Sequence, residues 1–142
     1  MITISTSDSL LAIIDNIENM KPDLYFYTDP IEPIQVATFQ YQTGKELRAH
    51  RHISRPGQNP IRTQEIMIIF SGLVLINIYD EEDKFIESHY LHPGEFFLQF
   101  QGGCGYQVIK DTRMMEIKTG PFYGDDIDRV RISIGEKNAP TS

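Results

Sequence analysis

His50 and His52 stand two residues apart in the stretch GKELRAHRH, Gly44 to His52. On an extended strand, residues two apart share a face, with Cα atoms roughly 6–7 Å apart. Two imidazoles so placed can converge on one cation, and neutral imidazole suits zinc, iron, nickel or copper. The same pair can work without a metal as general acid and base, because an imidazole titrates near working pH. A lone H-x-H also describes two exposed or core-satisfied histidines, so its surroundings decide its meaning.

The other candidates are weaker. His89 and His92 are three apart near a turn. On a strand that spacing sends them to opposite faces, so they read as exposed residues. Glu116 and Lys118 share a strand face two apart, so either could point into a barrel, and a solvated face is the preferred reading. Asp125, Asp126 and Asp128 read as a solvated loop, with too few carboxylates at loop spacing for calcium. Tyr25 and Tyr27 read as structural rings with exposed hydroxyls. Met114 and Met115 read as one inward and one outward side chain. No nucleophile elbow, P-loop or dinucleotide fingerprint occurs.

Several short strands must carry these residues. Ile34 to Tyr41 alternates and is rich in β-branched and aromatic side chains. Glu65 to Ser71, Leu73 to Tyr79, Lys84 to Tyr90, Glu95 to Gln101, Tyr106 to Ile109, Arg113 to Lys118 and Arg129 to Ile134 follow the same pattern. Turn residues separate them: Asp80 to Asp83, Pro93-Gly94, Gly102-Gly103 and Gly120-Pro121. Such a series predicts an all-β sandwich or barrel, over about residues 33–134. Ahead of it, Leu10, Ile13, Ile14, Ile17 and Met20 recur at helical spacing. Ser7 suits the N-cap and Pro22 marks the end, so an α-helix is predicted over about residues 7–21. The segment Ile53 to Thr63 is a long Pro- and Gly-containing loop, and reads either as the mouth of a site or as a tolerated insertion.

Composition bounds the possibilities. The 142 residues predict a single domain spanning 1–142, with 40% hydrophobic and 23% charged residues. The net charge of −7 argues against nucleic acid and against anionic membrane surfaces as partners. No apolar run is long enough for a membrane span, and no signal peptide is visible. One cysteine, Cys104, excludes an intrachain disulfide and suits the cytoplasm.

Gly44, then His50 and His52, then Glu65 and Gly72 resemble the first motif of the cupin superfamily, G-x5-H-x-H-x3–4-E-x6-G. The gap from His52 to Glu65 is longer here than in that pattern. Pro93-Gly94-Glu95, the apolar run Phe96 to Phe100 and Gly102-Gly103 resemble the second motif, with Cys104 where a histidine is usual. Thr63-Gln64-Glu65, Tyr79-Asp80-Glu81, Gly102 to Tyr106 and Lys118-Thr119-Gly120-Pro121 also resemble small cupins encoded among cell-surface polysaccharide genes. The resemblance spans about residues 25–132. It implies a double-stranded β-helix, or jelly-roll barrel, with the helix packed outside. It further implies a divalent metal (zinc, iron, nickel or manganese) held by His50, His52, Glu65 and Cys104. Cys104 has two readings, a thiolate ligand or a small buried apolar residue. A small-molecule ligand and a homodimer are also implied. Three functions stay open: a metal-dependent cupin acting on a small molecule related to sugars, a metal-free sugar-nucleotide isomerase or epimerase using His50 and His52, and a non-catalytic metabolite-binding module.

Overall fold

The architecture comes from a computed structural model that describes residues 1–53 and 62–133. Most of the expected loop from Ile53 to Thr63 therefore lies outside the described residues. So do the polar tail and the end of the last expected strand.

The chain begins with strands, and the expected helix is absent. β1 (Ile2–Ser5) pairs antiparallel with β2 (Leu10–Ile14), matching Ile2 to Ile14 and Ile4 to Ala12. The physical reason lies in the residues between and within them. The β-branched Ile2, Thr3, Ile4, Ile13 and Ile14 lose rotamer freedom in a helix and fit a pleated ribbon. In the turn, Thr6 Oγ1 accepts from the Ser9 amide at 3.1 Å. Ser7, expected as a helix cap, instead donates its hydroxyl to Asp8 Oδ2. Short polar side chains that bond locally in this way compete with a helix. Only Ile17–Asn19 makes a single 3₁₀ turn, with Asn16 Oδ1 accepting from the Glu18 amide.

The remaining strands form one eight-stranded antiparallel sheet that wraps on itself. In chain order they are β3 (Asp23–Phe26), β4 (Ile34–Tyr41), β5 (Glu46–His52), β6 (Glu65–Tyr79), β7 (Phe85–Leu91), β8 (Phe96–Gln99), β9 (Gly103–Thr119) and β10 (Arg129–Arg131). A short helix, α1 (Asp125–Asp128), precedes β10. β9 is the spine. One edge pairs with β6 along nearly its whole length, and the other serves β5 at one end and β4 at the other.

Two pairs of expected strands prove to be single long ones. Glu65–Ser71 and Leu73–Tyr79 join through Gly72, where φ is +89° and a Cβ would collide with the Asp111 carbonyl and Thr112. Only glycine takes that conformation without strain. The register shifts there, and the inward set changes from Glu65, Met67 and Ile69 to Val74 and Ile76. A bulge has this effect because it adds one residue to one strand. The opposite bend in β9, at Lys110 to Thr112, joins the other two expected strands.

The core gathers Ala37, Phe39, Met67, Ile69, Val74, Ile76, Tyr106, Val108 and Met114. Met115 is only half-buried, so the two methionines do divide inward and outward. Gln35 is a buried polar member of β4, and its Nε2 donates to the carbonyls of Asp29 and Glu32 at 2.9 Å. Gln35→Ala should strand those acceptors and cost about 2 kcal/mol. A fall in urea midpoint with an unchanged m-value checks this, and an unaltered midpoint refutes it.

Candidate metal centre

β5 carries His50 and His52, and β6 begins at Glu65. Their ligand atoms lie within 4.8 Å of one another, and among the described residues they are the converging set of three. The two imidazoles meet edge to face, with centroids 5.0 Å apart. Alternation along β5 brings them together, as their spacing predicts, because Arg51 between them turns away to pair with Asp83 at 2.8 Å.

The hydrogen bonds set the proton positions. His50 Nδ1–H donates to the Arg48 carbonyl at 3.2 Å, which leaves the lone pair on Nε2. That Nε2 is buried and has no partner among the described residues. His52 Nε2–H donates to Glu65 Oε2 at 3.0 Å, and its buried Nδ1 is likewise without a partner. Orphaned imidazole nitrogens are costly to bury, and a small cation is one group that would satisfy such a nitrogen.

Electrostatics sharpen this contrast. Burial, with the charges of Arg129 and His52, pushes the His50 pKa down to about 4. The imidazole is therefore a neutral acceptor at pH 7. Burial acts to raise the Glu65 pKa, but the His52 hydrogen bond and the histidine charges outweigh it and hold the carboxyl well below its usual range. A neutral nitrogen donor and an ionised oxygen donor thus stand ready together.

Cys104 lies beside this set rather than within it. It faces His50 across the β5–β9 pair. Its Sγ is 3.2 Å from Gln99 Oε1 and 3.4 Å from Glu65 Oε1. Gln99 Nε2 is fixed by donating to the Gly102 carbonyl at 2.8 Å, which turns its oxygen to the thiol. Burial, followed by the Glu65 charge, pushes the thiol pKa well up. The S–H is therefore a donor in the metal-free protein.

Glu116 and Lys118 correct a sequence reading. They are not on a solvated face, but sit buried inside the barrel, with Nζ to Oε1 at 3.2 Å. Apart from the exposed Lys110 at the bend, the even-numbered residues of β9 are buried, Cys104, Tyr106, Glu116 and Lys118 among them. Burial and the Glu65 charge raise the Glu116 pKa, and Lys118 and Arg129 oppose this. Asp125, Asp126 and Asp128 were expected in a loop but form α1, and Asp128 is buried. His89 and His92 are exposed, as expected.

A cavity of about 490 Å³ opens beside His50, with Met67, Tyr106, Glu116, Phe122 and Arg129 among its walls. Its size suits a small-molecule ligand. A larger hollow of about 1040 Å³ lies elsewhere, against Asp23, Gln40 and Asp111, and includes none of the three converging residues. We place the chemistry at the smaller cavity because His50 lines it.

Sequence reasoning missed Arg129 and Arg131. The register of β10 on β5 sets Arg129 opposite His52 and Arg131 opposite His50. The R-x-R spacing mirrors H-x-H, and nothing in the sequence tells that the two segments pair.

No helix among the described residues is long and apolar enough to cross a membrane. No protein-family model matches the sequence, and no curated protein matches it. Solved structures do match. A Klebsiella pneumoniae protein with a double-stranded β-helix domain is similar at TM-score 0.62 and 11% identity, over 87% of this chain and 100% of that one. CapF, a capsular polysaccharide assembling protein from Staphylococcus aureus, is similar at TM-score 0.60 and 14% identity. That match covers 94% of this chain but only 34% of CapF. A conserved Streptococcus pyogenes protein of unknown function is similar at TM-score 0.55 and 16% identity, over 83% of this chain and 91% of that one. At such identities the likeness shows the fold alone, that of a double-stranded β-helix domain.

Proposed function

From a cupin fold with three converging donors, we propose that this protein holds a divalent cation through His50, His52 and Glu65 and binds or acts on a small molecule in the adjoining cavity. Two observations carry this reading: one ligand atom from each of the three residues converges within 4.8 Å, and the His50 Nε2 is buried with no partner among the described residues. Such a cation supplies Lewis acidity to a bound carbonyl or water. His50 offers its lone pair without releasing a proton at neutral pH, and Glu65 supplies the compensating charge. Zinc, iron, nickel and manganese all suit this donor set. The likeness to CapF supports a sugar-related ligand. The net charge of −7 favours a small molecule over nucleic acid as the partner. A homodimer in a reducing cytoplasm completes the proposal.

Elemental analysis of protein purified without added metal tests it. We expect a stoichiometric divalent ion, and a lower thermal midpoint after chelator treatment. A protein that neither carries nor takes up any of the four metals overturns the reading. It would then favour the metal-free alternative, in which the His52–Glu65 pair acts as an oriented base. Turnover of a keto-sugar nucleotide separates that alternative from a non-catalytic binding module.

The place of Cys104 is the finer part of the proposal. Cys104 would join as a fourth ligand in its thiolate form, its proton passing to solvent, because metal binding and ligand deprotonation are coupled. Cys104→Ser should then lower metal affinity about tenfold, or about 1.4 kcal/mol. The thiol should alkylate only after the metal is stripped. Equal affinity in the two proteins, with slow alkylation throughout, leaves a three-residue site with a structural cysteine behind it.

A further inference from the structure

We propose that Arg129 and Arg131 form an anion-binding rim over the His50–His52 pair, so that the ligand of the cavity is a small molecule bearing a carboxylate or phosphate group. This deepens the metal-site reading and rests on it for the second contact of the ligand.

The register makes the argument. Across the antiparallel β5–β10 pair, Arg129 faces His52 and Arg131 faces His50. Directly opposed residues project to the same side of a sheet, with Cβ atoms roughly 5 Å apart. Two guanidinium groups are therefore set beside the two imidazoles on the side where the donors converge. Both arginines line the 490 Å³ cavity together with His50.

The rim already holds a carboxylate. Asp125 bridges the two arginines, with Oδ1 at 3.1 Å from Arg129 and Oδ2 at 3.3 Å from Arg131. The Asp125 side chain is 51% exposed, so this contact is weakly held and a ligand can displace it. Arg129 has further capacity, because its buried Nε–H has no partner among the described residues. Guanidinium groups favour planar oxyanions through paired N–H donors.

The rest of the wall suits the remainder of such a ligand. Phe122 lies under the guanidinium of Arg129, 5.7 Å from its centre, and keeps that side chain in place. The interior acid, Glu116, is occupied by Lys118. The cavity sets Lys45, Arg48, Arg129 and Arg131 against Glu46, Glu116 and Asp125, so in a chain of net charge −7 its lining carries a small excess of positive charge. A ligand spanning it would place its anionic group on the arginines and a neighbouring oxygen toward His50.

Calorimetric titration of the full chain with three probes of one skeleton tests this: glucuronate, glucose 1-phosphate and glucose. At least one anionic probe should bind about tenfold more tightly than glucose, and added salt should erode the preference. Which anion wins distinguishes a carboxylate from a phosphate ligand. Arg129→Gln should abolish the preference while metal content stays at the wild-type level. Arg131→Gln, at a more exposed position, should reduce it and serves if the first variant folds poorly. Asp125→Asn should move affinity the other way and strengthen anion binding. The proposal is overturned if neither anion outcompetes glucose, or if the preference survives both arginine substitutions. Metal uptake without anion preference removes the rim alone. Arginine-dependent anion binding in a chain that takes up no metal leaves the rim and removes the metal reading.

Discussion

His52→Ala should lose the cation and about 3–5 kcal/mol of folding stability together, whereas His50→Ala should lose the cation with a far smaller change in stability. The difference follows from their partners. His52 is the hydrogen-bond partner of Glu65, whose side chain is 1% exposed. Removing the imidazole leaves a carboxylate buried with only the weak thiol donor of Cys104 nearby. His50 makes one bond, to the Arg48 carbonyl, and its inner nitrogen has no partner to strand. Each variant deletes one of three donors, so metal affinity should fall at least about 100-fold in both. Glu65→Gln is the informative control. It keeps an oxygen for His52 to bond, removes the charge, and should lose metal with less loss of stability than His52→Ala. Elemental analysis and urea denaturation read the two quantities separately. Stoichiometric metal in both histidine variants refutes the site, and equal stability of the two refutes the pairing argument.

Acidification should destabilise the metal-free protein in two successive windows. Burial holds the His50 pKa at about 4 in the folded chain, against an ordinary histidine value of 6.5. Between those values the unfolded chain binds more protons, so stability falls as pH drops from 6.5 toward 4. The shift corresponds to a loss on the order of 3 kcal/mol. Glu65 follows with the same sign. Its carboxyl is held below its unfolded value, so its contribution is present above about pH 4.5 and is lost as pH falls further. The groups facing His50 are Glu65, His52 and Arg129, and burial outweighs the one that would raise its pKa. Urea midpoints measured from pH 7 to 4 check the first window. His50→Gln should flatten it, and a wild-type midpoint that stays constant to pH 4 contradicts the argument.

The residues show why some of this was readable in advance. Ile34 to Tyr41 begins and ends as the alternation predicts, because both faces of β4 have defined surroundings. His50 and His52 converge because a two-residue spacing determines a shared face without help from the rest of the chain. The N-terminal segment misled because its apolar spacing fits a helix, while its β-branched residues and the Thr6 to Ser9 turn decide otherwise. Strand lengths in β6 and β9 were hidden because Gly72 marks a bulge, and a glycine in a pattern reads equally well as an end. Glu116 and Lys118 looked solvated because charge usually is. Their burial depends on each neutralising the other in a barrel interior, which single-residue preferences do not express. β3 was missed because it is short, and its start at Asp23 has φ of +60°.

The spine formed by β9 has a kinetic consequence. Its partners β4, β5 and β6 all precede it, and the contacts that matter join opposite halves of the chain, as in His50 with Cys104 and Ile34 with Thr119. Pairings of this kind require loop closure before they are rewarded, which places such topologies among the slower folders, on the order of milliseconds to seconds. No local fragment holds His50, His52 and Glu65 in place, since among the described residues β5 joins the rest of the barrel through β9, with β10 on its outer edge. Metal capture should therefore trail the recovery of strand signal during refolding. The rate at which a chelator loses its ion to the protein becomes a clock for the docking of β5 onto β9.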